Sequence, residues 1–111
     1  GKDRYVPIHD KIYFLIKKRF DLKNERLFLN EDMQEMDYYS YRLRFMKVMK
    51  NLNMFHRPHD ARHTFITKAK HADINEYILK QIVGHKISDI TEKVYTHRNI
   101  DELYAEINKI K

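Results

Sequence analysis

The sequence predicts a mainly α-helical fold with a small remnant of β-structure. Only two glycines and two prolines occur among its 111 residues, so loops should be short and helices should dominate. Apolar residues recur at spacings of three and four along most of the chain, which is the helical period. Extended structure is indicated in two short segments, residues 4–8 and 26–29. A chain of this length forms one domain with a single modest core.

Composition limits the classes of protein to which the chain can belong. An apolar fraction of 42% with 34% charged residues is ordinary for a globular protein, so a disordered chain is not expected. No apolar run is long enough to cross a membrane. The absence of cysteine excludes disulfides and thiolate metal sites, and it fits a reducing cytoplasm. The net charge of +6 favours a polyanionic partner, nucleic acid before an acidic membrane surface.

The first half of the chain is predicted to contain both extended segments and two helices. R-Y-V-P-I, residues 4–8, is interpreted as a strand, and since a lone strand cannot satisfy its own backbone, we expect its partner outside this chain. R-L-F-L, residues 26–29, precedes an acidic turn. Asp10 is the predicted N-cap of the first helix and Asp37 that of the second. Their apolar faces are Ile12, Leu15, Ile16 and Phe20, then Tyr41, Phe45, Val48 and Leu52.

A third helix is predicted from Pro58, which suits a first turn, through His71. His59, Arg62 and His63 lie at positions i, i+3 and i+4 of this helix, hence on one face. For each of these residues alone, a packing contact or a salt bridge is the more ordinary role. Together, two imidazoles and a guanidinium can present several donors to one anion.

The fourth helix has the clearest predicted boundaries. Asp73 and Glu76 match a capping box, and Gly84 suits the C-cap. His85 should therefore emerge at a defined helix end.

Two further helices are predicted near the carboxyl terminus. A short one begins at Ser88 or Asp89 and ends at Tyr95. Asn99 with Glu102 starts the last one. Its apolar stripe consists of Ile100, Leu103, Ile107 and Ile110.

The order of these motifs is specific although each residue alone is not. H-x-x-R-H at residues 59–63, then G-H at 84–85, then Y-T-H at 95–97 resembles the tyrosine recombinase family of phage-type integrases. The resemblance implies the DNA breaking-rejoining fold, truncated at its N-terminus, with residues 1–111 as the C-terminal portion of the catalytic domain. It also implies that residues 4–8 are the second strand of the family's catalytic hairpin.

The resemblance implies a role for each matching residue. Tyr95 corresponds to the nucleophile that attacks a DNA phosphodiester and becomes linked to the 3′ phosphate. Arg62 corresponds to the second arginine of the family's catalytic pair, His59 to the histidine three residues before it, and His85 to the later histidine. His63 follows the arginine in the family pattern as a supporting residue.

Physical chemistry agrees with those roles. Charge spreads over the nonbridging oxygens in phosphoryl transfer, so fixed donors matter most, and Arg62 offers a planar fork of them. A tyrosine with a reference pKa of about 10 needs such neighbours to attack at neutral pH. Because the phosphotyrosine linkage retains the energy of the broken bond, neither ATP nor a metal cofactor is expected.

Partners follow from the charge and from the resemblance. We expect double-stranded DNA at attachment sites, a homo-oligomer (a tetramer) on DNA in the full-length protein, no membrane and a cytoplasmic location. The stripe of the last helix either packs in the core of this chain or docks on a neighbouring protomer. The candidate contacts to the DNA backbone, for which a merely solvated basic face is the alternative, are Arg42, Arg44, Lys47, Lys50, Arg57 and Arg98.

Two departures from the family pattern reduce the activity that is expected of this chain alone. No motif in this sequence matches the family's first catalytic arginine, and Lys2 lies a few residues past the position expected for the hairpin lysine. We therefore expect the chain alone to cleave DNA weakly or not at all, and the full-length enzyme to integrate or excise a mobile element.

Two other readings compete with the enzyme. His56, His59, His63 and His71 resemble a zinc cluster, but Asp60 stands where a metalloprotease helix has glutamate, and a nearby arginine would repel the ion. The second is a basic helical module that binds DNA without chemistry. Replacing Tyr95 by Phe distinguishes this module from an enzyme.

Overall fold

The computed structural model describes residues 4–85 and 98–111, and these residues form five α-helices. The described residues contain no strand, and Leu29 pairs with Glu35 in an isolated antiparallel bridge. The predicted helical fold class is thereby confirmed, with the bridge in the second of the two extended segments. The predicted helix that begins at residue 88 or 89 lies outside the described residues. The helices are α1 (Asp10–Phe20), α2 (Tyr38–Asn51), α3 (Pro58–His71), α4 (Glu76–Val83) and α5 (Ile100–Ile107).

The chain divides into two compact units. The first, Phe14–Thr64, contains most of α1, all of α2 and the first half of α3. The second combines Gly1–Tyr13 with Phe65–Lys111 and contains α4 and α5.

The core lies in the second unit, where α4 and α5 pack together. Leu103 is only 1% exposed and Ile107 is also buried, whereas Ile100 is 45% exposed. Ile110 packs against the same cluster. Most of the predicted stripe of the last helix is therefore intramolecular core. The buried members of this core cluster are Ala69, Ile74, Ile78, Leu79, Ile82, Val83 and Leu103.

Residues 4–8 have no pairing partner among the described residues, so the strand predicted there, which depends on a partner elsewhere, stays a prediction. Side chains of this segment contact the rest of the second unit instead. Pro7 is buried, and Arg4 Nε donates to the carbonyl oxygen of Ile82 at 2.9 Å. The alternation of residue types resembled a strand, but a strand also requires a neighbour with free backbone groups.

The predicted N-cap of α1 is displaced by one residue. Asp10 is already helical, and the ring of His9 accepts a hydrogen bond from Lys11 N–H through Nδ1 at 3.0 Å. The other ring nitrogen, Nε2, lies 2.6 Å from the carbonyl oxygen of Ile110 and donates to it in the neutral tautomer that leaves Nδ1 as an acceptor. Asp10 accepts the hydroxyl hydrogen of Tyr104, which raises the pKa of Tyr104. These bonds join the start of α1 to the end of the chain.

The capping box predicted for α4 is also wrong. Asn75 is the N-cap, and its side-chain oxygen accepts from Tyr77 N–H at 3.0 Å and from Ile78 N–H at 3.2 Å. Asp73 lies in the left-handed region with φ of 57°, in the turn between α3 and α4. Asparagine and aspartate are both good N-caps, so the sequence pattern did not decide between residues 73 and 75.

Three predicted helix ends are confirmed. Asp37 caps α2 by accepting from Ser40 N–H at 2.7 Å, and this bond lowers the pKa of the Asp37 carboxyl. Asn99 caps α5 by accepting from Glu102 N–H at 2.9 Å. Gly84 ends α4 in the left-handed conformation.

The predicted apolar face of α2 is not buried. Tyr41 and Val48 are about half exposed, and no residue of α2 is fully buried. Tyr41, Phe45 and Val48 instead line an open cavity of about 920 Å³ within the first unit. The turn before α2 is organised by Asn30, whose side-chain oxygen accepts from the N–H groups of residues 32 and 34.

Candidate active site on the third and fourth helices

The start of α3 is fixed by a hydrogen bond between its first turn and the residue before it. Pro58 is the first helical residue, where its missing N–H costs nothing. Asp60 Oδ2 accepts from the backbone N–H of Arg57 at 2.8 Å. This bond is the main reason why the pKa of the Asp60 carboxyl is lowered, and the positive charge of Arg57 adds to it. A negative group in a first turn also interacts favourably with the helix dipole.

The predicted face of α3 exists. The rings of His59 and His63 meet edge to face, with centroids 4.6 Å apart. Both histidines are exposed, and Arg62, one turn after His59, is half-buried. An exposed imidazole and a guanidinium one turn apart can both donate hydrogen bonds to the oxygens of one phosphate.

The histidines of α3 do not form a metal centre with their described neighbours. His56 Nδ1 lies 3.9 Å from Asp60 Oδ2, an ion pair only when the ring is protonated. Across residues 4–85 and 98–111, no three histidine, cysteine, aspartate or glutamate side chains are arranged to hold a metal ion.

His85 follows a glycine whose backbone conformation favours glycine. Gly84 has φ of 78°, in the left-handed region, and the atoms nearest to a Cβ placed there belong to the flexible end of the Arg4 side chain. His85 N–H donates to the carbonyl oxygen of Lys80 at 2.9 Å, which closes the end of α4. The position of the His85 backbone is thus fixed while its side chain is exposed.

The described residues therefore include three of the four predicted catalytic side chains. His59 and Arg62 belong to the first unit, and His85 belongs to the second. Tyr95 lies outside the described residues, which resume at Arg98.

Sequence reasoning missed the role of Gln81. Its side-chain amide makes two hydrogen bonds to the backbone of Arg98: Oε1 accepts from the Arg98 N–H at 3.0 Å, and Nε2 donates to the Arg98 carbonyl oxygen at 2.9 Å. The sequence offered no signal for this contact, because a glutamine on a half-exposed helix position is ordinary.

The predicted DNA-binding residues differ in their surroundings. Arg44 Nη2 pairs with Glu31 at 3.2 Å, and Arg98 Nε lies 3.6 Å from Glu102. Both pairs are partly exposed, so each arginine can exchange its partner for a phosphate at small cost. The remaining predicted contacts are exposed and comprise Arg42, Lys47, Lys50 and Arg57.

None of the helices described here is both long enough and apolar enough to span a bilayer.

The H-x-x-R-H face and the glycine-histidine helix end are the described motifs that resemble those of the tyrosine recombinases. Comparison with known families agrees with this resemblance. The model of the phage integrase family matches residues 1–102, and the chain belongs to this family.

Curated relatives match nearly the whole chain. A tyrosine recombinase of Thermosipho africanus is 28% identical over 112 residues, covering 98% of this chain and 39% of the relative. Tyrosine recombinase XerA of Saccharolobus solfataricus is 31% identical over 110 residues, with coverages of 98% and 36%. The transposase from transposon Tn916 of Enterococcus faecalis is 26% identical over 126 residues, with coverages of 97% and 31%.

The chain thus spans between 31% and 39% of the length of these three relatives. No solved structure matches the chain significantly.

Proposed function

We propose that the full-length protein is a site-specific DNA recombinase that breaks and rejoins strands through a 3′-phosphotyrosine intermediate. The observation that carries the proposal is the phage integrase match over residues 1–102, a range that contains His59, Arg62, His85 and Tyr95. In this proposal residues 1–111 are the C-terminal portion of the catalytic domain.

The reaction consists of two phosphoryl transfers, each of which breaks one phosphate ester bond and forms another. The phenol oxygen of Tyr95 attacks the phosphorus, the bond to the 5′ oxygen breaks, and that oxygen leaves as a 5′ hydroxyl after gaining a proton. The phenol proton passes to a base or to solvent. A 5′ hydroxyl from a second strand then attacks the phosphotyrosine, which restores the phenol and joins the new strand.

Each described residue of the proposed site has a chemical task. Arg62 donates two hydrogen bonds to nonbridging oxygens, which carry more charge in the transition state than in the ground state. His59 and His85 are exposed imidazoles that can donate to an oxygen or move a proton. His63 supports His59 through the edge contact of their rings.

We propose double-stranded attachment-site DNA as substrate and a homo-oligomer, a tetramer, as the assembly on it. Exposed basic residues of α2 and the residue before α3 contact the DNA backbone and set the register without reading sequence. The proposed location is the cytoplasm. The proposed backbone contacts are Arg42, Arg44, Lys47, Lys50, Arg57 and Arg98.

The test uses the full-length protein and a nicked attachment-site oligonucleotide, from which a cleaved strand cannot be religated. Covalent protein–DNA complexes should accumulate and resist denaturation by detergent. In the Tyr95→Phe variant the covalent complex should vanish while DNA affinity stays within about twofold, because one hydroxyl is a small part of the interface.

The same experiment distinguishes a DNA-binding module without chemistry. Such a module would bind the oligonucleotide and give no covalent complex with either tyrosine or phenylalanine at position 95. If the full-length protein binds the oligonucleotide and forms no covalent complex, the proposal that it is an enzyme is refuted.

A further inference from the structure

We propose that Arg4 is a further phosphate-binding residue, which contacts the same DNA phosphate as His85. This inference rests on the proposed function, since it takes from that function the assignment of His85 to a DNA phosphate. It goes beyond that function by adding a cation that lies outside both the H-x-x-R-H motif and the glycine-histidine motif.

The guanidinium of Arg4 lies at the end of α4, beside the residue that precedes His85. Arg4 and His85 belong to the same compact unit. Arg4 Nε donates to the carbonyl oxygen of Ile82 at 2.9 Å. The Nη1, Cζ and Nε atoms of Arg4 lie 2.9, 3.0 and 3.2 Å from the point that a Cβ of residue 84 would occupy. The guanidinium therefore lies over the backbone of Gly84, and His85 is the next residue.

The bond to Ile82 uses only one part of the guanidinium. An arginine carries a planar fork of N–H donors, and this bond uses the donor on Nε. Within residues 4–85 and 98–111, the Nη1 and Nη2 groups of Arg4 have no acceptor, and the side chain is exposed. Because the bond at Nε orients the plane of the fork, the remaining donors are available to two oxygens of one phosphate.

The charge of Arg4 matters because His85 follows the negative end of a helix. The carbonyls at the C-terminal end of a helix together carry a partial charge of about −0.5. The Lys80 carbonyl accepts the N–H groups of Gly84 and His85. The Ile82 carbonyl is satisfied by Arg4, which brings a full positive charge to this end. The end of α4 then attracts a phosphate that the helix alone would repel.

The alternative is that Arg4 only caps the C-terminal end of α4. The two roles differ in their dependence on the charge of the DNA. A cap stabilises the helix whatever the protein binds, so its loss weakens binding to charged and neutral DNA linkages equally. A phosphate contact is lost only where the phosphate is charged.

The first experiment measures DNA affinity by fluorescence anisotropy in full-length protein that carries Tyr95→Phe, which prevents cleavage. Two attachment-site duplexes are compared, one unmodified and one with a neutral methylphosphonate at the linkage that the wild-type protein cleaves. Adding Arg4→Gln should weaken binding to the unmodified duplex about threefold, as expected for a partly exposed ion pair. It should leave binding to the methylphosphonate duplex almost unchanged. Equal weakening on both duplexes, or no weakening on either, would overturn the phosphate contact.

The second experiment measures single-turnover formation of the covalent complex on the nicked oligonucleotide. Arg4→Gln should slow this step at least about tenfold, which is less than the loss typical of a preorganised donor in a water-excluded site. Arg4→Lys keeps the charge but cannot bond Ile82 and two phosphate oxygens at once, so its rate should lie between those of Arg4→Gln and wild type. A wild-type rate in Arg4→Gln would overturn the proposal. If melting shows that Arg4→Gln does not fold, Arg4→Lys decides, and a wild-type rate in that variant would overturn the proposal instead.

Lys109→Gln is the matched control. It removes the same charge from the same unit at a lysine whose Nζ pairs with Glu106 at 2.9 Å. Its affinity for both duplexes and its cleavage rate should stay within about twofold of wild type, because an exposed pair contributes little. If Lys109→Gln and Arg4→Gln have equal effects, overall charge explains both and the contact at Arg4 is refuted.

Failure of the proposed function is distinguishable. A wild-type protein without a covalent complex, or a Tyr95→Phe variant that still forms one, would refute both proposals together. A wild-type protein that cleaves through Tyr95 and is insensitive to Arg4→Gln would refute the role of Arg4 alone.

Discussion

Asp60 Oδ2 accepts the backbone N–H of Arg57 at 2.8 Å, so a carboxylate inside the H-x-x-R-H motif closes the first turn of the helix that carries it. Asp60 separates His59 from Ala61 and Arg62 in sequence, and its bond holds the turn from which His59 projects. The acidic residue therefore has a structural task within a motif whose other polar members are basic.

We expect Asp60→Ala to slow covalent complex formation by the full-length protein about tenfold, because the first turn of α3 frays and His59 loses its fixed position. Asp60→Asn retains an oxygen acceptor and should fall between this variant and wild type. Rates are measured on the nicked oligonucleotide. Asp101→Ala removes the same charge from the first turn of α5 and should cleave normally; equal slowing would indicate a general charge effect.

Acid should loosen the starts of α2 and α3. The pKa values of Asp37 and Asp60 are lowered because backbone N–H groups bind their ionised forms. A lowered pKa stabilises the folded state above the unfolded value, about 3.9, and this contribution is lost as pH falls through the folded pKa. Helicity measured by circular dichroism should therefore fall below about pH 4. The double variant Asp37→Asn with Asp60→Asn should lose less helicity over that range, and an identical titration would contradict the assignment.

The stripe of α5 provides a matched pair of core and surface substitutions. Leu103 is 1% exposed and Ile100 is 45% exposed on the same helix. Leu103→Ala should lower the free energy of unfolding by about 2–5 kcal/mol, through lost burial and a cavity. Ile100→Ala should cost well under half as much. Urea denaturation of the chain measures both, and similar losses would show that the stripe packs in another way.

The helices could be predicted from the sequence because their signals are local. Asp37, Asn99 and Gly84 each satisfy backbone groups of their own helix, and the structure has them in the predicted roles. The strand predicted at residues 4–8 stays a prediction, because a strand is defined by a neighbour that no local pattern reveals. The contact between His9 and Ile110 could not be predicted from the sequence for the same reason, since 101 residues separate the two.

Prediction of the candidate site was similarly limited by distance along the chain. Helical spacing alone predicts that His59, Arg62 and His63 share one face of α3. The rings of His59 and His63 are indeed in contact. The Gln81 contact with Arg98 spans 17 residues and depends on how the chain returns to α4. A helical pattern specifies which face a residue occupies and leaves its long-range partner undetermined.

Contacts to the DNA backbone should be recognisable by their salt dependence. Arg42 and Lys47 are exposed on α2. Arg42→Gln and Lys47→Gln should each reduce the slope of log affinity against log salt concentration by about 0.9, because each releases about one counterion fewer. Fluorescence anisotropy with a labelled duplex at several salt concentrations measures this slope. Lys109→Gln makes the same charge change at a lysine paired with Glu106 at 2.9 Å and should leave the slope unchanged.

Arg62 should be sensitive to geometry as well as to charge. Arg62→Lys keeps the positive charge but replaces a planar fork of donors by a single ammonium, which cannot hold two phosphate oxygens in the same way. We expect covalent complex formation by the full-length protein to fall about 100- to 1,000-fold, with DNA affinity changed much less. Lys68→Arg makes the reverse exchange at an exposed position in the last turn of the same helix and serves as the control. An Arg62→Lys enzyme that cleaves at the wild-type rate would mean that charge alone suffices at this position, and the bidentate role proposed for Arg62 would be wrong.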